Sequence, residues 1–266
     1  MAPRPIWTGT ISFALLSVPV KLYSATRSKD ISFNQIEKST GARIKQKKVS
    51  SVTGEEVASE DIVKGYKLGG DSYVLIESDE LDALAPRDAA NEKTIRILDF
   101  VKLEEIDPVY FEKAYYIAPE RGGLRPYALL AKAMQVTGKV AIAKVVMHNR
   151  EYLTAIRTVG NALCLETMLF GDEVVSPSEI DGIPDSGIEI SEKELEMAKM
   201  LVETSASDFE PDRYRDEYRD RVMAMIEAKA AGQTFEAPKS EEPAKVVDLM
   251  AALEASLAAA KARKAS

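Results

Sequence analysis

Alternating apolar and polar positions dominate the start of the chain and predict a β-hairpin. Over residues 7–15 the odd-numbered positions are mainly apolar and the even-numbered positions are small or polar, which is typical of a half-buried strand. A second alternating piece follows and places Val18, Val20 and Leu22 on one face. We therefore expect two paired strands with one face turned to a core.

The same period recurs in a predicted meander of three strands over residues 139–147, 151–159 and 162–169. Residues 148–150 and Gly160-Asn161, which connect them, have the turn chemistry of hairpins. Together with the opening hairpin, three adjacent antiparallel strands predict a barrel or a strongly curled sheet. Shorter strands are predicted between these parts, at residues 73–76, 94–100 and 113–117. Two helices are also predicted there. One has Ser78 as its N-cap and runs to residue 84, and the other runs from Pro126 to about residue 136 and is ended by Gly138.

The second part of the chain has a helical pattern. Residues 175–187 are rich in Pro, Gly, Ser and Asp, which predicts a connection. Ser191 and Glu194 form a capping box ahead of an apolar stripe. A further helix is predicted over 211–231, a polar linker over 235–243 and an amphipathic tail helix over 245–264. No partner for the apolar stripe of the tail helix is evident in the sequence.

The composition argues against several kinds of site. The chain has 266 residues with one histidine, His148, and one cysteine, Cys164, so a zinc site of His and Cys ligands is nearly excluded within one chain. His148 lies in a polar stretch between two predicted strands and is best explained as a loop residue, and Cys164 as a small core residue. No phosphate-binding loop, nucleophile elbow or convergent carboxylate pair is present, so we expect no enzyme, no metal and no cofactor.

The location that the composition favours is the cytoplasm. A single cysteine allows no intrachain disulfide, which fits a reducing compartment. The chain contains no run of eighteen apolar residues and no apolar signal core at its start, so neither a membrane span nor a signal peptide is expected.

Charge is distributed unevenly. Residues 1–50 hold nine Lys or Arg and two Asp or Glu, a balance of +7, whereas the whole chain carries −8. A predicted strand over 43–49 places Arg43, Lys45 and Lys47 on one face and has only Ile44 and Val49 as apolar residues. Such a strand suits an arm whose charged face meets a polyanion, and it equally suits a solvated edge strand protected by lysines. Charge alone leaves both interpretations open.

Several ordered blocks closely resemble bacterial Ku proteins of non-homologous end joining. They span about residues 5–230 in the order of that family, and several independent blocks are far more specific than one short motif. The blocks are Ile6-Trp7-Thr8-Gly9-Thr10-Ile11-Ser12-Phe13, Val18-Pro19-Val20-Lys21-Leu22-Tyr23, Glu60-Asp61-Ile62-Val63-Lys64-Gly65-Tyr66, Ile106-Asp107-Pro108-Val109-Tyr110-Phe111, Arg125-Pro126-Tyr127-Ala128-Leu129-Leu130, Thr137-Gly138-Lys139-Val140-Ala141-Ile142 and Asp212-Arg213-Tyr214-Arg215-Asp216-Glu217-Tyr218.

The resemblance implies a mixed β/α fold, with a Ku-type β-barrel core, an extended DNA-encircling arm and a C-terminal helical region. The core would span residues 1–175 with the arm at about 31–70, the helical region 188–232, and a linker and tail helix 233–266. It implies a non-enzymatic homodimeric ring that binds double-stranded DNA ends without sequence specificity in double-strand break repair. It further implies recruitment of an ATP-dependent DNA ligase, ligase D, and a location in the bacterial cytoplasm in association with the nucleoid.

DNA-binding residues follow from position and charge once the resemblance is accepted. The expected set is Lys21, Arg27, Arg43, Lys45, Lys47, Lys48 and Lys64. The tail is short and carries few charges, so ligase recruitment is a better expectation for it than DNA bridging. Two other functions stay open at this point: a β-barrel module that binds protein or RNA without end specificity, and a hydrolase with an unrecognised site.

Overall fold

The opening hairpin forms as two antiparallel strands of a closed barrel. In the computed structural model β1 (Trp7–Phe13) pairs with β2 (Leu16–Ser24), and Val18, Val20 and Leu22 are all fully buried, as their alternation predicts. The structure describes residues 3–70, 72–84, 93–147, 150–184, 187–233 and 249–265. The predicted loop residue His148 and the predicted linker over 235–243 lie outside the described residues.

The first strand is shorter than the alternation predicts, because the chain turns at Ala14 and Leu15. Phe13 pairs directly with Leu16, which leaves a two-residue connection. Ala14 has a φ of 50°, the left-handed conformation that such tight hairpins require. The prediction that Leu15 shares the inner face is therefore wrong, and its side chain is fully exposed at the tip of the hairpin.

Seven strands close the barrel in the order β1-β2-β6-β9-β8-β7-β5, and a separate two-stranded ribbon pairs β3 with β4. Neighbouring barrel strands are antiparallel except β1 and β5, which pair in parallel and close the barrel. The remaining strands are β3 (Lys64–Gly69), β4 (Ser72–Ile76), β5 (Thr94–Lys102), β6 (Phe111–Pro119), β7 (Lys139–Met147), β8 (Arg150–Val159) and β9 (Ala162–Met168). The predicted meander is confirmed as β7, β8 and β9 in adjacent positions.

The barrel interior forms the core. In β7 the inward face carries Ala141, Ala143, Val145 and Met147, all of which are buried. Trp7, the first residue of β1, is partly buried and packs against this cluster. A closed barrel leaves no unpaired sheet edge, which protects these strands from pairing with other chains.

Two helices belong to the barrel-containing part. The short α1 (Ser78–Leu84) begins at Ser78 itself, one residue earlier than an N-cap at that position predicts. The longer α2 (Leu124–Thr137) lies against the barrel through Tyr127, Leu130 and Met134. Gly138 ends it with a φ of 64°, which confirms the predicted stop.

Tyr127 fastens α2 to the barrel by entering the hydrogen-bond ladder between two strands. Its hydroxyl donates to the carbonyl oxygen of Ile117 in β6 at 2.8 Å and accepts from the backbone N–H of Leu163 in β9 at 2.7 Å. Ile117 and Leu163 are register partners, so the hydroxyl sits where these two strands would otherwise bond to each other. Burial raises the pKa of Tyr127, against the opposing effect of the Leu163 hydrogen bond, and the group stays a donor.

The chain divides into two compact units, Met1–Ser176 and Pro177–Ser266. The second unit contains α3 (Glu192–Ser205), α4 (Glu217–Ala230) and α5 (Leu249–Ala265). The capping box of Ser191 and Glu194 is confirmed at the start of α3. The tail helix, which had no evident partner in the sequence, packs through α5 against α3. Residues 245–248 of its predicted span lie outside the described residues.

The helix predicted over 211–231 is interrupted. Pro211–Arg213 forms a 3₁₀ turn, and α4 starts only after Asp216, whose carboxylate accepts the backbone N–H of Arg219 at 2.9 Å. An Asp that caps a helix adopts a non-helical backbone, so it separates the two segments. Within the described part of the chain, no helix combines the length and apolar character needed to cross a bilayer.

Candidate nucleic-acid interface

A long segment leaves the barrel after β2 and returns at β5. Register partners Trp7 and Leu22, and Thr10 and Thr94, place both attachment points at the end of the barrel where β1 begins. We call residues 31–70 of this segment the arm. All of its residues are exposed except Ile31, Ser50 and Val57, which are only partly buried. The arm therefore has no core of its own.

Two equivalent turns shape the arm. The sequence Thr40-Gly41 recurs thirteen residues later as Thr53-Gly54, and both glycines have a positive φ, 69° and 72°. We call residues 35–44 the first turn and 48–57 the second turn. Four hydrogen bonds repeat with the same offset. In the first turn the N–H groups of Glu37, Gly41, Ile44 and Ala42 donate to Ala42 O, Glu37 O, Gln35 O and Thr40 Oγ1, respectively. In the second turn the N–H groups of Ser50, Gly54, Val57 and Glu55 donate to Glu55 O, Ser50 O, Lys48 O and Thr53 Oγ1.

The predicted strand over 43–49 is wrong. This segment forms no ladder, and only single antiparallel bridges are made, between Ile36 and Arg43 and between Val49 and Glu56. The physical reason is that a strand with so few apolar side chains has no face to bury, so local turns take the place of a sheet partner. Residues 45–47 instead connect the two turns, which hold the cationic segment at both of its ends.

Most cations of the expected set are exposed and free of ion pairs within the part of the chain that the structure describes. These are Arg27, Arg43, Lys45, Lys48 and Lys64. Two others are neutralised. Lys21 lies in the barrel strand β2 and its Nζ is 3.0 Å from Glu120 Oε1, while Lys47 Nζ is 2.5 Å from Glu56 Oε2. The structure therefore separates a free set from a paired set that the sequence did not distinguish.

Cations of the barrel wall contrast with those of the arm. Arg157 in β8 holds Glu166 in β9 with two guanidinium nitrogens, at distances down to 2.7 Å. This hydrogen bond raises the pKa of Arg157, with burial opposing it. Lys144 is likewise 2.7 Å from Glu151. These pairs bridge neighbouring strands and have a structural role, so they do not offer free charge to a ligand.

The ribbon of β3 and β4 adds a cation that the sequence analysis missed. Lys64 and Lys67 are three residues apart in β3, and alternation therefore puts them on opposite faces of the ribbon. Lys64 pairs in register with Ile76 and Lys67 with Tyr73. The only sequence signal for Lys67 was its place in an exposed strand. A flat or cylindrical partner can therefore contact only one of these two lysines of a ribbon at a time.

The described residues supply neither a cluster of metal ligands nor an exposed cysteine thiol. They contain no group of three or more His, Cys, Asp or Glu side chains that could hold a metal. A cavity of about 500 Å³ beside α2 is lined almost wholly by apolar side chains such as Phe13, Phe100 and Leu129. Cys164 is buried, and burial raises the pKa of its thiol, which disfavours the reactive thiolate.

Comparison with known proteins identifies the family. The family model described as the Ku70/Ku80 beta-barrel domain matches residues 12–197. The chain belongs to the Ku family. A protein named non-homologous end joining protein Ku 1 from Saccharopolyspora erythraea is 45% identical over 96% of this chain and 78% of its own length. One named non-homologous end joining protein Ku from Anaeromyxobacter sp. (strain K) is 45% identical over 98% and 87%.

The match confirms the resemblance drawn from the sequence blocks and the barrel-plus-helix fold class. The arm lies inside the matched range, so it is part of what this Ku chain shares with the family model. Some relatives are longer, such as the Ku protein of Frankia casuarinae, of which this chain covers 64% at 42% identity. Among solved structures, the SPOC domain of human PHD-finger protein 3 matches with a TM-score of 0.30 and 9% identity. The match covers 62% of this chain and 95% of the SPOC domain chain.

Proposed function

We propose that this Ku chain binds the ends of double-stranded DNA without sequence specificity and acts in non-homologous end joining. The observation that carries the proposal is the exposed arm, whose free cations Arg43, Lys45 and Lys48 lie within and between two hydrogen-bonded turns of an otherwise acidic protein. Lys and Arg on phosphates position a protein on a duplex but carry no sequence information. The names of the relatives, all non-homologous end joining proteins Ku, agree with this role.

We further propose that the protein is a homodimer in which two arms close a ring around the duplex. The arm and its ribbon expose many large apolar side chains, among them Phe33, Val52, Tyr66 and Leu68. A lone two-stranded ribbon is only marginally stable in water, and a stable interface needs at least about 1,000 Å² of buried surface. A second copy would supply the missing cover, and the same contact would join two cationic arms.

A threaded ring predicts that the protein needs a free DNA end to load. We expect binding to a linear duplex and none to a relaxed, covalently closed circle of the same sequence. The logarithm of the binding constant should fall with the logarithm of the salt concentration with a slope of several units. Gel shift and fluorescence anisotropy measure both. Retention on closed circles at the linear affinity would refute the ring.

Sedimentation of the free protein tests the homodimer, and a monomer at all accessible concentrations would contradict it. Competition between blunt duplex, single strands and RNA tests the ligand class. If single strands or RNA compete as well as the duplex ends, the protein is a general nucleic-acid module instead.

Recruitment of ligase D is the remaining part of the proposal. The tail helix α5 is the segment that we propose for this contact. Addition of the protein should stimulate end joining by a ligase D on linear substrates, and removal of residues 245–266 should abolish that stimulation while duplex binding persists. Stimulation that survives the truncation would assign the contact to another surface.

A further inference from the structure

The duplicated turns of the arm have opposite electrostatics at equivalent positions. A shift of thirteen residues superposes Arg43 of the first turn on Glu56 of the second, and Asn34 on Lys47. Asn34 and Lys47 each lie just before their turn, two residues ahead of the bridge partners Ile36 and Val49. They are therefore diagonal to Arg43 and Glu56 across the hairpin, at a separation that long side chains can span. The backbone hydrogen bonds are the same, so the difference between the turns lies in these side chains.

In the second turn the two groups neutralise each other. Lys47 Nζ lies 2.5 Å from Glu56 Oε2, and this contact is both a hydrogen bond and an ion pair. At the first turn the equivalent positions hold Arg43 and the neutral Asn34, and no described carboxylate forms an ion pair with Arg43. The first turn therefore presents Arg43 as a free cation, whereas the Lys47–Glu56 ion pair at the second turn presents no free charge.

We infer that Glu56 masks Lys47 and thereby limits how many phosphates the arm can contact. This rests on the proposed function, and it names Glu56 as a residue that sets the strength of duplex binding from outside the cationic set. A carboxylate is the closest protein equivalent of a phosphate oxygen as a partner for an ammonium group, so Glu56 and the duplex compete for the same lysine. The pair is well exposed, at 70% for Lys47 and 56% for Glu56, so a duplex has access to it.

The inference differs from a general effect of negative charge on the arm. Glu55 is the adjacent carboxylate, is also exposed, and has no ion-pair partner among the described residues. Glu55→Gln and Glu56→Gln thus remove one negative charge each from neighbouring positions of the same turn. Only Glu56→Gln releases a lysine.

The test compares full-length wild type, E55Q and E56Q by fluorescence anisotropy on a blunt-ended duplex, over salt from about 50 to 200 mM. Each added phosphate contact steepens the log–log slope by about 0.9, which corresponds to an affinity gain of up to about eightfold near 0.1 M salt. For E56Q we expect this steeper salt slope and this gain in duplex affinity. For E55Q we expect a smaller gain in affinity that is the same at every salt concentration, with the slope unchanged. In the Lys47→Ala background the gain from E56Q should vanish.

Coincident salt slopes for E55Q and E56Q would overturn the inference, as would a gain that persists without Lys47. A wild-type protein that binds no duplex would instead refute the proposed function, and this inference with it. Circular dichroism and sedimentation of each variant confirm that fold and oligomeric state are unchanged. Both glutamates are exposed and lie outside the barrel, so neither substitution disturbs the core.

Discussion

Removing the hydroxyl of Tyr127 should destabilise the barrel strongly, although the substitution removes only one heavy atom. Tyr127 is 7% exposed, and its hydroxyl satisfies the carbonyl of Ile117 and the N–H of Leu163, residues that are 2% and 0% exposed. Tyr127→Phe keeps the ring, so no large cavity forms. It leaves one buried donor and one buried acceptor without this partner.

The magnitude follows from the cost of such groups. A buried polar group left unsatisfied costs about 1–3 kcal/mol, and the carbonyl can recover part of its loss because it has a second lone pair. We expect a loss of about 2–4 kcal/mol in the free energy of unfolding of the barrel-containing unit. For a unit of this size that lowers the melting temperature by about 5–12 °C.

The assay is thermal unfolding followed by circular dichroism and calorimetry, at fixed protein and salt concentration because subunit association shifts the apparent stability. Tyr116→Phe is the matched control, since the Tyr116 side chain lies on the same strand β6 and is 43% exposed. It should change the free energy of unfolding by less than about 0.5 kcal/mol. Equal melting temperatures for the two variants would refute the role of the inserted hydroxyl.

Two further predictions concern the arm and the lone thiol. Reversing Arg43, Lys45 and Lys47 to Glu should weaken duplex binding by several kcal/mol, because the free cations Arg43 and Lys45 lose their phosphate contacts and three added carboxylates repel the duplex. Anisotropy measures this loss, and sedimentation should show an unchanged oligomeric state. Unchanged affinity would mean that this segment faces solvent. Cys164 should react slowly with a thiol reagent near pH 8 in the native protein and fully in denaturant, because burial raises its pKa. Rapid stoichiometric labelling of the native protein would contradict the buried site.

Periodicity predicted the barrel strands well because their alternation reflects a physical requirement that is local. Each strand must turn one face to the core, so the shared buried face of Val18, Val20 and Leu22 could be assigned from the sequence alone. Both faces of β7 are largely apolar, and its alternation did not say which one is inward. Local chemistry also located the end of α2 at Gly138 and the capping box of Ser191 and Glu194, since both depend on neighbouring residues only.

The misassigned elements are those in which a local interaction competes with the pattern. Alternation continues through Leu15, but a tight turn at Ala14 ends the strand earlier. A helical stripe continues from Pro211, but the carboxylate of Asp216 caps a new helix. The cationic segment has the composition of an edge strand, yet two turns supply its hydrogen bonds and no sheet partner is present among the described residues.

The residue pattern alone showed a β-rich first part, a helical second part and a cationic segment in an acidic protein, and its ordered blocks identified the family. The folded chain was needed to show which strands close the barrel, that the arm leaves and returns at one barrel end, and which cations are free. Lys45 and Lys47 are alike in sequence, but Lys47 is held by a carboxylate nine residues away. The reason is that charge depends on composition, whereas its availability depends on which groups the folded chain brings within a few ångströms.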